Sequence, residues 1–324
     1  GISDKYARYY TAKAYSEKLA MDSGKLTGIG VSVVNDPSSG YARIIRLFEN
    51  SPADDAELQV GGFITAINGV STRQLTETSA INSALLGEEG TTTTITYLTP
   101  DRQEQTLDLV HSNYKTPTVS YQVLNEKVGY LRVYSFSSTT GSEFKSAVDA
   151  LMDSNVQTMV FDLRDNTGEN LNAALVAADY CLPSGLIASQ QGKDGTVTDL
   201  RMSDETALSV PAVCLVNGST DGSAELFDNA QRKMGDALLV GTTTTGNGVV
   251  MSDPQSFSDG SAAVITVGIL QDNEGETWND FGLTPDVDAT LTSDEQNSYY
   301  DFTTDTDPQI AKAVAAAQML AGLA

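Results

Sequence analysis

With 324 residues, 40% of them hydrophobic, the chain has length for two domains and apolar surface for a large buried core. Aspartate and glutamate total 43 against 19 lysines and arginines, a net charge of -24 whose field repels nucleic acid and anionic lipid headgroups. Cys181 and Cys214 lie in apolar runs and are too few for a disulfide framework, His111 is the single histidine, and no run of about 18 apolar residues spans a membrane.

In chain order, DKYARYYTAKAYSEKLAMD (4–22) has helix-forming composition and predicts a helical lead-in before a Gly-rich turn. From Thr27 the pattern alternates. GIGVSVV, YARIIRLF, ITAING and TTTTITYLT predict short strands separated by DPSSG, Asn68-Gly69 and GEEG turns. TETSAINSALLG between them has helical spacing, with Ile81, Leu85 and Leu86 on one face, so this is a compact β-rich module with one good helix. Strand and helix then alternate through VGYLRVYSF, EFKSAVDALMDS, TMVFDLR, NLNAALVAADYCL, AVCLVN, SAELFDNAQRKMG and DALLVG. Such alternation predicts a partly parallel sheet covered on both faces, with sites at the carboxyl ends of its strands. An acidic tail and an Ala-rich helix, IAKAVAAAQMLAGLA, close the chain. The division expected is a lead-in over 1–26, the β-rich module over 27–112, an α/β core over 113–292 and a tail with helix over 293–324.

Isolated candidates read as structure. DNEGE at 272–276 lacks the alternate ligand spacing and the later glutamate of a calcium loop, so it is a solvated turn. Asp162 and Asp165 flank Arg164 in a local salt bridge, Trp278 packs, and His111 sits at the junction of the modules. One histidine cannot build a multi-histidine metal site, and neither metal nor cofactor is expected.

Seven phrases follow one another over nearly the whole chain: GIGVSVV, ENSPADDAELQVGGFITAING, VGYLRVYSF, FDLRDNTGE, VCLVNGSTDGSAELF, LLVGTTTTGNG and GLTPDVDA. Together they resemble the C-terminal processing peptidase, or tail-specific protease, family. The resemblance implies an α+β / α/β protein, a PDZ domain joined to a mixed α/β protease core of crotonase-like, ClpP-like type. It also implies a serine endopeptidase that cuts near carboxyl termini with a serine nucleophile and a lysine general base. The family's nucleophile precedes a glutamate by three residues at a helix start, and in Gly222-Ser223-Ala224-Glu225 that position is Gly222. The family's lysine follows 25 residues later in a Gly-Lys-Gly turn, which here is Gly246-Asn247-Gly248, since 247 minus 222 is 25. An aspartate of the family falls on Lys233.

Glycine has no oxygen with which to attack a carbonyl, and the Asn247 amide does not accept a proton near neutral pH as a neutral lysine does. Loss of a serine nucleophile costs about a millionfold in turnover. Ser223 and Lys233 do not replace the pair, because ten residues of helix separate them by roughly 15 Å. Carried over from the family, the oxyanion donors are the amides of Ser223 and Gly168, with Glu169 replacing a second glycine. Peptide capture maps to Thr27, Gly28, Ile29 and Gly30 as the carboxylate loop, with Ile81 and Leu85 as pocket walls.

The reading is a proteolytically inactive relative that binds protein C-termini or unstructured polypeptide, with no nucleic-acid partner and with homo-oligomerisation allowed. Its alternatives are an active serine-type peptidase with a rearranged site, and a fold kept only as an assembly module. The resemblance also implies an extracytoplasmic, exported or membrane-anchored bacterial protein whose anchor lies outside this chain.

Overall fold

A computed structural model describes residues 4–205 and 207–323, which fall into two compact units. Residues 24–116 and 292–302 form a β-rich unit; residues 4–23, 117–291 and 303–323 form an α/β unit. No helix among the described residues is long and apolar enough to cross a membrane.

In the β-rich unit five antiparallel strands lie in the order Val31–Asn35, Ala42–Leu47, Phe63–Ile67, Thr92–Leu98 and Glu104–Val110. Period-two alternation decides which side chains turn inward: in Thr92–Leu98, Thr93, Ile95 and Tyr97 are buried and their neighbours are not. Asn68 and Gly69 both take positive φ, 49° and 78°, the backbone of a tight hairpin turn. The core of Ile29, Val33, Ile44, Ile64 and Ile95 is capped by Ile81 and Leu85, from the Thr78–Ala84 helix and its end. Lys25–Gly28 pairs with Ser112–Lys115, which carries the unit past the expected boundaries of 27 and 112. His111 is buried inside this unit against Gly87, with its ring Nδ1 2.9 Å from Thr91 Oγ1.

The α/β unit is built on a six-stranded sheet ordered Val119–Leu124, Val128–Val133, Thr158–Asp162, Ala212–Val216, Leu238–Gly241 and Val287–Asp288. Only the first pair is antiparallel. The strands Thr158–Asp162 and Ala212–Val216 are buried throughout, as expected when helices cover both faces. Met159, Phe161, Cys214 and Val216 meet the helices Thr140–Asp153, Leu171–Asp179 and Ser223–Met234. Val160, Val213 and Leu215 meet Ile310, Ala313, Val314 and Ala317 of the terminal helix Pro308–Leu320.

Two expectations about the ends are corrected. The lead-in is not all helix, because Arg8–Tyr10 is a strand paired with Ala262–Val264 before the helix Ala12–Asp22 begins, and both belong to the α/β unit. The tail is not one piece: residues 292–302 join the β-rich unit, where Arg43 pairs with Asp301, whereas the last helix packs on the central sheet.

Arg164 fastens that helix. It is 1% exposed, and it donates to Asp162 at 2.7 Å, to Asp307 at 2.8 Å and to Gln309 Oε1 at 2.9 Å. Burial opposes ionisation of Asp162, but the guanidiniums of Arg164 and Arg132 with the Tyr130 hydroxyl hold its carboxyl at about 2. Asp307 in turn caps the helix through the Gln309 and Ile310 amides. Arg164→Ala removes the buried cation that Asp162 and Asp307 share and is expected to cost about 3–5 kcal/mol. Denaturant unfolding measures that loss, and hydrogen exchange should show the Pro308–Leu320 helix opening first.

Candidate active site

Gly222 stands between the Ala212–Val216 strand and the Ser223–Met234 helix, at the carboxyl side of the parallel sheet. Its φ of 58° and ψ of -116° mirror the first corner of a type II turn, a conformation suited to glycine and strained for other residues. A Cβ on Gly222 would lie 3.1 Å from Gly168 O and 3.6 Å from Asn247 Nδ2. The two positions paired by a 25-residue spacing in the sequence therefore face each other.

Glu225 holds them there. Its buried carboxylate accepts from Gly222 N at 3.1 Å, Gly246 N at 2.8 Å, Asn247 N at 2.8 Å and the Thr244 hydroxyl. Burial raises its pKa, and these donors work against that rise. Asn247 Nδ2 donates to Asp221 Oδ1 at 2.6 Å, which commits one of its two amide hydrogens to a carboxylate. The next loop is tied to the same turn by Asp280 N to Gly246 O at 2.8 Å, and it carries Phe281, 80% exposed.

The expected oxyanion donors are both engaged within the chain. Gly168 N donates to Asn166 Oδ1 at 2.9 Å, and Ser223 N points at Gly168 O at 3.4 Å. Gly168 lies too close to the helix start for any side chain, since a Cβ there would collide with Asp221 O and Ser223 N. Asn166 is fixed at its other end by donating to Val133 O at 2.9 Å. Glu169 is ion-paired with Lys18.

Lys233 plays no part at this site. It lies in the last turn of the helix that Ser223 begins, and its ammonium meets Glu274 at 2.5 Å, Glu276 at 3.1 Å and Asp272 at 3.5 Å. The three carboxylates of the DNEGE turn thus gather around an internal cation. Inside the same helix Asp228 is fully buried, and neither oxygen meets a conventional donor; the weak Cys214 S–H lies alongside. Desolvation, with the nearby Glu225 charge, pushes its carboxyl well above the usual range.

The residues assigned to peptide capture do not form an open pocket. Ile81 is 0% and Leu85 2% exposed, both within the core. Thr27 and Gly28 belong to a strand paired with Ser112–Lys115, Ile29 N donates to Leu85 O at 3.1 Å, and Gly87 N donates to Thr27 O at 3.2 Å. Sequence reasoning missed Asp221 and Asn166; Asp221, adjoining Gly222, was the one that position alone pointed to.

Residues 127–289 match Peptidase family S41, and residues 47–98 match a PDZ domain. The chain belongs to peptidase family S41, with a PDZ domain joined to an S41 protease core. It is 27% identical over 304 residues to carboxyl-terminal-processing peptidase 3, chloroplastic, of Arabidopsis thaliana, a match over 89% of this chain and 58% of that protein's length. It is also 27% identical over 291 residues to the carboxyl-terminal-processing protease of Picosynechococcus, covering 88% of this chain and 69% of that one. Among solved structures, the photosystem II D1 C-terminal processing protease shares its fold, with a TM-score of 0.56 at 23% identity over 95% of this chain and 84% of that chain.

Gly222→Ser forces a side chain into the strained turn and is expected to lower stability by about 1–3 kcal/mol, measured by denaturant unfolding. Asp228 sets a pH dependence. Its folded pKa is raised, so the stability it contributes is complete below 3.8 and is lost as pH climbs toward the folded value. Thermal midpoints should therefore fall less steeply above pH 3.8 in Asp228→Asn than in the parent chain.

Proposed function

We propose that this chain is a catalytically silent S41 family protein that binds extended polypeptide through the carboxyl terminus, using its PDZ domain. The observation that carries the reading is the facing pair Gly222 and Asn247: the frame of a serine and lysine dyad without an attacking oxygen or a proton acceptor. Commitment of the Asn247 amide to Asp221 and of the Gly168 and Ser223 amides to internal acceptors supports it further. Such a protein acts as a sensor, an adaptor or a competitor of active proteases. The exposed Phe281, on the loop bonded to the Asn247 turn, offers an apolar handle for the same polypeptide. An extracytoplasmic location, by export or by an anchor, belongs to the same reading.

The purified chain is expected to leave an unstructured fluorogenic polypeptide uncut and to resist labelling by a serine-directed fluorophosphonate. Calorimetry with peptides bearing free carboxylates should detect binding that amidation removes. Hydrolysis that disappears in Ser223→Ala or Ser219→Ala would instead establish a rearranged active peptidase.

A further inference from the structure

In the PDZ domain, Val31–Asn35 is the outer strand of its sheet, paired on one side with Ala42–Leu47. Its other side faces the Thr78–Ala84 helix. Asn82 Oδ1 accepts from Val33 N at 3.2 Å while its Nδ2 donates to Val33 O at 3.2 Å. A single carboxamide thereby makes the two bonds that a residue of an added antiparallel strand would make with Val33. Its orientation is set independently, because Nδ2 also donates to Thr78 O at 3.0 Å, one turn back along the helix. Farther along, Asn35 N donates to Thr78 Oγ1 at 3.3 Å and Asn35 Nδ2 donates to Thr76 O at 3.3 Å. At the opposite end, Leu85 O holds Ile29 N. The edge is thus engaged at Ile29, Val33 and Asn35 by groups of the helix and the segments flanking it.

We propose that Asn82 is a latch: its carboxamide stands in for one residue of a bound polypeptide, so an extended carboxyl terminus enters the edge only by displacing it. This rests on the PDZ domain being the carboxyl-terminus binding module. An incoming strand replaces the two Asn82 bonds with two of its own, so that exchange is near neutral. Net affinity comes from the remaining main-chain bonds and from burying the terminal side chain. Selection therefore favours termini that are extended along several residues and apolar at the end.

The test uses the full chain, a fluorescein-labelled unstructured peptide ending in leucine with a free carboxylate, and amide hydrogen exchange read at Val33 and Asn35. Asn82→Ala should bind the peptide about tenfold tighter and exchange faster at Val33. Thr78→Val should accelerate exchange at Asn35 with a smaller gain in affinity, and it carries the test if Asn82→Ala unfolds. Equal affinity in parent and variants, or an unchanged Val33 rate in a folded Asn82→Ala, overturns the latch while leaving the binding module intact. Faster Val33 exchange with no peptide bound by any of the proteins overturns the carboxyl-terminus reading, and with it any control of ligand entry by Asn82.

Discussion

The site stands on the Glu225 carboxylate. It joins the start of the Ser223–Met234 helix, through Gly222 N, to the Thr244–Asn247 segment, through two amides and a hydroxyl. A buried carboxylate is costly unless donors surround it, so helix and turn are locked together as one body. Nothing in this lock needs the residue at 222 to carry a side chain or the residue at 247 to carry a charge. The S41 frame therefore holds with glycine at 222 and asparagine at 247, and glycine at 222 relieves strain that a side chain would bear there.

Self-satisfaction is the common theme of both units. At the S41 site, Gly168 N is spent on Asn166 Oδ1 and Ser223 N on Gly168 O. In the PDZ domain, Asn82 similarly takes up the outward N–H and C=O of Val33 in the outer strand. Each closure removes an unsatisfied polar group, so each is favourable until a ligand supplies equivalent partners.

Much of the architecture was legible because it is written in local periodicity. TMVFD and AVCLV read as strands buried on both faces, and SAELFDNAQRKM as a helix behind a glycine turn; the α/β unit contains them as such. The antiparallel sheet of Val197–Ser203, Gly185–Gly192, Thr266–Gln271 and Val249–Met251 was not foreseen, since its strands are mixed in polarity and Gly185–Gly192 finds its second partner, Thr266–Gln271, far along the chain. Arg8–Tyr10 was hidden for the same reason: its partner lies more than two hundred residues away, and RYY alone carries no strand period.

The amino-acid sequence alone settled the alternation of strands and helices, the order of the family phrases and the chemical poverty of positions 222 and 247, because residue type and spacing are local quantities. Only the tertiary structure decided which amides were free. Whether Gly168 N, Ile29 N or Val33 N faces a ligand depends on Asn166, Leu85 and Asn82 reaching them across the fold. Hydrogen bonds are satisfied by whichever group packing brings within about 3 Å, and no one-dimensional pattern contains that distance.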